Sequence, residues 1–280
     1  MAQHWVVDGE YKLIDFLKRQ LGQHISARQI KRSIENNGCL LNGKVERFAS
    51  HQVHSGDRVD FDFVVKEEIP IDISRVLYSD NHILAFNKPP GISSEDEALQ
   101  IEPGLSLIHR LDKETSGVLL FAKTEAIRKA MIELFRAKKI HKVYYAWVDG
   151  VPAKSNGIID NYLGKRSAYA GQAIWGAVSA SKGLHARTEW RLERQAKNAS
   201  LLRCVPITGR THQIRVHLSG MGHPILGDHQ YGRTFRCPYR PQRCLLHASE
   251  IAFEHPATGK SLAIQAPLPE DMQHVDEVLT

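Results

Sequence analysis

Leu13, Phe16 and Leu17 recur at helical spacing and the run closes at Leu21-Gly22, a pattern that predicts a first helix. Ser26 stands where an N-cap belongs for a second helix, Ala27–Asn37. Ile30 and Ile34 lie on its apolar side, Arg28, Lys31 and Arg32 on its basic side, and Gly38 is its expected C-cap. The elements then shorten to a strand at Cys39–Leu41, an Asn42-Gly43 turn and a strand over Arg58–Val64. Residues Val65–Asp72, with Lys66-Glu67-Glu68 and Pro70, read as a linker.

Beyond it the chain is richer in strands. Ile83–Phe86 is a short apolar strand stopped by Asn87-Lys88-Pro89-Pro90-Gly91, and Gly117–Ala122 is near-continuously apolar, as a buried strand is. Thr124 is placed to cap a helix running to Lys139 with Ile127, Met131, Leu134 and Phe135 on one face. Val143–Val148 follows as a strand, whose alternation sends Tyr144 to one face and Tyr145 and Trp147 to the other. Thr188–Leu192 and Ser200–Val205 look like a strand pair. Thr211–Leu218 predicts a helix ending at Gly220, with His212 and Arg215 on one side. Residues 151–185 hold the weakest periodicity and are expected to form an exposed insertion or loop region.

Composition changes this picture mainly through its distribution. At 280 residues and 42% hydrophobic, the chain falls outside the disordered and low-complexity classes. Four cysteines without a CxxC pair point to a reduced, cytoplasmic protein, and no apolar run is long enough for a membrane span. The net charge of +6 hides a block: residues 128–243 carry 21 basic and 6 acidic side chains, between flanking segments that are net acidic. Such a block favours a polyanion, because each neutralised phosphate releases condensed counterions. A solvated face of scattered charges is the bland alternative.

Two segments carry candidate chemistry. His109-Arg110-Leu111-Asp112-Lys113-Glu114-Thr115-Ser116-Gly117 is a polar loop entering a buried strand. Asp112 there is either a nucleophile, which needs no metal, or a turn residue bonding local amides. The run Thr208–Leu218 is either a surface basic helix or one that brings Arg215 to a carboxylate. Cys237, Cys244, His247 and His229 are too irregularly spaced for a zinc site, and neither a GxGxxG nor a P-loop is present.

In order, HRLDKETSGVLLFAK, KVYYAWVDG, TGRTHQIRVHLSGMGHPILGD and LLHA resemble the motifs of the RluA-type pseudouridine synthases, with NKPPG upstream resembling the family's strand-loop. Residues 11–63 separately resemble the alpha-L RNA-binding module. The resemblance implies an α+β chain: an alpha-L RNA-binding domain over 1–65, a linker over 66–75, and a pseudouridine synthase domain over 76–280. That catalytic domain would hold a mixed, mainly antiparallel central sheet with flanking helices. Asp112 matches the family's nucleophile, Arg110 a residue that replaces the extruded nucleotide, and Tyr144 the aromatic that packs on the target base. Arg215 matches the basic partner of that aspartate and Ile214 an apolar pocket neighbour. His109, Arg210, His212 and Gln213, together with Arg28, Lys31 and Arg32 of the basic helix, are the further residues expected to bind substrate. Lys113-Glu114 replaces the commoner Arg-Asp pair, and 152–183 matches no motif.

The activity implied is isomerisation of uridine to pseudouridine in RNA without cofactor or metal, by a monomer with no membrane attachment. The likeness of the alpha-L module favours large-subunit ribosomal RNA, with transfer RNA as the alternative. Flipping the base out costs a few kcal/mol, offset by phosphate contacts and by stacking on Tyr144 worth about 1–3 kcal/mol. Three routes stay open: attack by Asp112 on the base, attack on the sugar, or glycal formation with Tyr144 as base. Two rival classes are a non-catalytic RNA-binding protein and a hydrolase releasing free uracil.

Overall fold

A computed structural model describes residues 3–22, 25–63, 71, 73–99, 101–169, 172–232, 234–275 and 279. The chain divides into two units, Met1–Glu68 with Lys165–Trp175, and Ile69–Gly164 with Gly176–Thr280. The linear division expected from sequence had placed 165–175 with the second. The linker expected over 66–75 lies outside the described residues at 66–70 and 72; its end, Ile73–Arg75, is a 3-10 turn.

In the first unit, helices α1 (Leu13–Leu21) and α2 (Ala27–Glu35) form because their apolar residues fall on one stripe. Leu13, Phe16, Leu17, Ile30 and Ile34 share one buried cluster with Val59 and Phe61. Ser26 and Gln29 cap α2 reciprocally, side chain to backbone in both directions. The helix is shorter than expected. Asn37 takes the left-handed conformation (φ 68°), and the Gly38 N–H donates to Ser33 O at 2.8 Å, so asparagine rather than Gly38 turns the chain. Gln3–Val6, Arg58–Phe61, Cys39–Leu41 and Lys44–Val45 pair in that order. The Arg58 strand ends at Phe61, and Val64 lies outside the described residues.

The second unit is built on a mixed, mainly antiparallel sheet. Its strands run, in order, Leu184–Ala196, Ala199–Pro206, His141–Asp149, Leu246–Glu254, Ser116–Ala122, Ile83–Lys88 and Val76–Ser79, with 156–163 paired to the outer side of Leu184–Ala196. Ser116-Gly117 pairs with His247-Ala248 in parallel; the remaining neighbour pairs with described registers are antiparallel. Within 151–185, expected to be an exposed insertion or loop region, Asn156–Tyr169 and Gln172–Val178 are strands. The periodicity of the first is hidden because Ile158 and Tyr162 are exposed on one face while Leu163 is buried on the other, so apolar residues occur on both sides.

Helix α3 (Glu125–Arg136) starts at Thr124, which accepts from the Ile127 N–H. It stops short of Lys139 because Lys138 turns left-handed (φ 57°). Helix α4 (Gln213–Gly220) begins two residues later than expected. It ends at Gly220 as expected, and Gly222 (φ 86°) then turns the chain, with His223 N–H donating to Leu218 O.

Candidate active site

Asp112 sits on the turn that enters the Ser116–Ala122 strand, its carbonyl accepting from the Thr115 N–H at 3.0 Å. That strand can begin flush against Leu246–Glu254 because residue 117 is glycine. Its φ is 110°, and a Cβ there would stand 2.1 Å from Ala248 O. Beneath the turn lies Lys88, fully buried. Its ammonium donates to Pro89 O (2.9 Å), Ile92 O (2.9 Å) and Lys113 O (3.1 Å), joining the Asn87–Gly91 loop to the Asp112 turn. Burial pulls its pKa down to about 7, against the opposing pull of Glu114 and Asp112.

Arg215 comes from α4 and is nearly covered. Nη1 donates to Asp112 Oδ2 at 3.1 Å, across 103 positions of sequence. Nε and Nη2 grip Asp228 at 2.7 and 3.0 Å, and Nη2 also donates to Gln230 Oε1 at 2.9 Å. Burial opposes the guanidinium charge, but Asp228 outweighs it and raises the pKa well above the ordinary arginine value. Asp228 is 1% exposed; burial works against its carboxylate, and Arg215 holds it below the usual range. His212 is not on the helix face with Arg215 as expected. It is the left-handed residue before the first turn (φ 54°), with Nε2 3.9 Å from Asp112 Oδ1 and Nδ1 2.7 Å from the Tyr231 hydroxyl. Burial and then Arg215 lower its pKa, which favours the neutral ring.

Tyr144, on the His141–Asp149 strand, pairs with Ala248 and packs against the apolar cluster that includes Leu111 and Leu119. Burial, then the nearby Asp112, raises its phenol pKa, so the hydroxyl keeps its proton at neutral pH. Asp112, Arg215, Tyr144 and His212 thus converge on one place: a carboxylate held by a cation, with an apolar ring alongside.

The other expected residues divide. Arg110 is exposed and faces Glu95 at 3.3 Å. Arg210 donates through Nε to His185 O, at the start of α4. Gln213 is buried with both amide ends taken. Its oxygen accepts from Thr208 Oγ1 and the Arg210 N–H, and its nitrogen donates to Arg187 O and Thr188 Oγ1. Its amide is thus engaged within the protein. His109 likewise accepts from the Leu120 N–H, and burial drives its pKa down to about 3. Ile214 is in the core with Leu201, Leu202 and Leu218. Arg28, Lys31 and Arg32 lie exposed on one side of α2 in the first unit.

Three residues here had no role in the sequence reading: Lys88, Asp228 and Tyr231. The first two stood inside recognised motifs, NKPPG and HPILGD, which is the signal that could have found them. Among the described residues no group of three or more His, Cys, Asp or Glu side chains could hold a metal ion.

Residues 82–220 match the model of the RNA pseudouridylate synthase family. Ribosomal large subunit pseudouridine synthase D of Zymomonas mobilis is 31% identical over 90% of this chain and 89% of its own. Ribosomal large subunit pseudouridine synthase C of Vibrio cholerae is 32% identical over 96% and 92%, and that of Escherichia coli 36% identical over 71% and 67%. Among solved structures, human RNA pseudouridylate synthase domain containing 1 superposes with a TM-score of 0.65 at 25% identity, covering 72% of this chain and 86% of that one. The chain belongs to the RNA pseudouridylate synthase family, and its second unit has the pseudouridine synthase fold.

Proposed function

We propose that this pseudouridine synthase acts on a uridine of large-subunit ribosomal RNA, with Asp112 as nucleophile, Arg215 as its cationic partner and Tyr144 as the surface on which the flipped base packs. The observation that carries this reading is the 3.1 Å contact of Arg215 with Asp112 beside Tyr144. In the isomerisation the C1′–N1 bond breaks, the uracil turns, and C1′ bonds to C5. The C5 proton is lost and N1 gains one, so atoms balance without a cofactor. Arg215 orients one carboxylate oxygen and leaves the other facing the substrate side. The raised phenol pKa of Tyr144 disfavours it as the base of a glycal route, since a phenolate would be scarce at neutral pH. The names of the ribosomal relatives favour ribosomal RNA over transfer RNA. The small first unit, with its exposed basic side on α2, is proposed as an alpha-L RNA-binding domain supplying phosphate contacts.

The test is tritium release from RNA labelled at C5 of uridine. Wild type should release tritium from large-subunit ribosomal RNA and not from transfer RNA. Asp112→Asn should release none while still binding RNA. Retained turnover in that variant would sink the Asp112 assignment, and release from transfer RNA alone would reverse the substrate. Mapping pseudouridine in a deletion strain then locates the uridine.

A further inference from the structure

Two residues before Tyr144, on the same side of the strand, Lys142 points into a cavity of about 180 Å³. Lys138, Lys139 and His141 line it with Lys142, and Pro206 and Ile207 form its opposite wall. No acidic residue is among the lining side chains. Lys142 is half-buried, yet its protein contacts are weak: one long hydrogen bond to Thr208 O (3.5 Å) and the Phe135 ring at 5.9 Å. Among the described residues it has no carboxylate partner. Burial lowers its pKa to about 8, so it remains mostly charged at neutral pH and pays for that charge without an ion pair. The position also borders the loop into α4: a Cβ at Gly209 would lie 3.9 Å from the Lys142 nitrogen, three residues before His212.

A half-buried cation with no carboxylate partner, in a cavity lined by basic and apolar side chains on the strand of the ring proposed to stack the base, is a site awaiting a negative ligand. We infer that this cavity holds a backbone phosphate of the RNA immediately beside the target nucleotide, with Lys142 as its cation. Two residues of strand, roughly 7 Å, separate Lys142 from Tyr144, a spacing on the scale of a base and its neighbouring phosphate. Lys138, Lys139 and His141 stand at the mouth, where they draw the strand in. The inference rests on the RNA-modifying reading above.

The test compares wild type with Lys142→Met and Lys142→Arg in the full chain, using single-stranded oligouridylate as a probe that needs no known target. Lys142→Met should bind roughly tenfold more weakly, with the slope of log affinity against log salt reduced by about one, and Lys142→Arg should restore both. The Lys142→Met melting temperature should hold or rise, because an unpaired, half-buried charge has been removed; a merely structural lysine would lower it. On the mapped substrate, a methylphosphonate replacing one phosphate flanking the target should weaken wild type and have no further effect in Lys142→Met. Unchanged affinity and slope, or additive losses, would overturn the inference. So would inorganic phosphate binding that disappears in Lys142→Met while RNA affinity does not, since the cavity would then serve a free anion. Absence of tritium release from any RNA would refute the proposed activity and leave these binding measurements readable.

Discussion

Arg215 gives two of its three guanidinium nitrogens to the buried Asp228, at 2.7 and 3.0 Å, and one to Asp112. The planar fork fits one carboxylate in bidentate fashion, so Asp228 sets the angle at which the remaining nitrogen meets Asp112. Asp228→Asn keeps the shape and removes the charge. It should lower kcat by about 10²-fold with little change in KM. In an Arg215→Lys background, where no fork remains to be aimed, the same substitution should cost much less. Single-turnover rates of all four proteins check this, and fully additive losses would show Asp228 acting independently of Arg215.

Lys88 links stability to pH in a direction that can be worked out. Its folded pKa, about 7, lies below its ordinary value of 10.5, so the unfolded chain binds the proton more tightly between those values. Wild type therefore gains stability from this group as pH rises from about 7 towards 10.5, and the burial cost is fully present below 7. Glu114, Asp112 and Arg243 are the charged groups around it. Lys88→Met also leaves three carbonyls unpaired, so it should be less stable than wild type, and the gap should widen between pH 6 and pH 9. Urea unfolding at the two values measures it; a gap that narrows contradicts the assignment.

Gly117→Ala places a methyl group against the Ala248 carbonyl in a backbone conformation that suits glycine. Strain and overpacking together should cost about 2–6 kcal/mol. Chemical denaturation, or loss of soluble protein on expression, reads the result.

Gln213→Ala strips a buried amide of four hydrogen bonds and leaves the Thr208 and Thr188 hydroxyls short of partners. Each unsatisfied group costs about 1–3 kcal/mol, so the melting temperature should fall clearly. KM for RNA should stay near wild type, because the amide is turned inward. A large rise in KM with unchanged melting would return Gln213 to the substrate.

Much of the local structure was legible in sequence because it depends on neighbours. Ser26 and Thr124 cap helices where their positions say they should, and Asn42-Gly43 turns left-handed at both residues, as a tight hairpin requires. Errors fell where a choice depends on surroundings. Asn37 and Lys138, neither of them glycine, end α2 and α3. The strand over 156–169 carries apolar residues on both faces, so alternation could not reveal it. Gln213 and His109 were expected to bind substrate; that Gln213 is buried with its amide bonded inside the protein, and that His109 accepts from the Leu120 N–H, could not be read from the motifs.

The order and wording of the motifs along the chain carried the resemblance to the family, and that resemblance implied the fold class and Asp112, Tyr144 and Arg215 as candidates. Short-range patterns of turn residues and apolar period, written in consecutive positions, gave the local helices and strands. Tertiary structure alone decided that Arg215 is shared between Asp112 and Asp228, that Lys88 braces two loops, and that Lys142 is half-buried without a carboxylate partner. Those facts depend on which strands pair across more than a hundred residues and on how far each charge is taken from water, and neither is a property of any local segment.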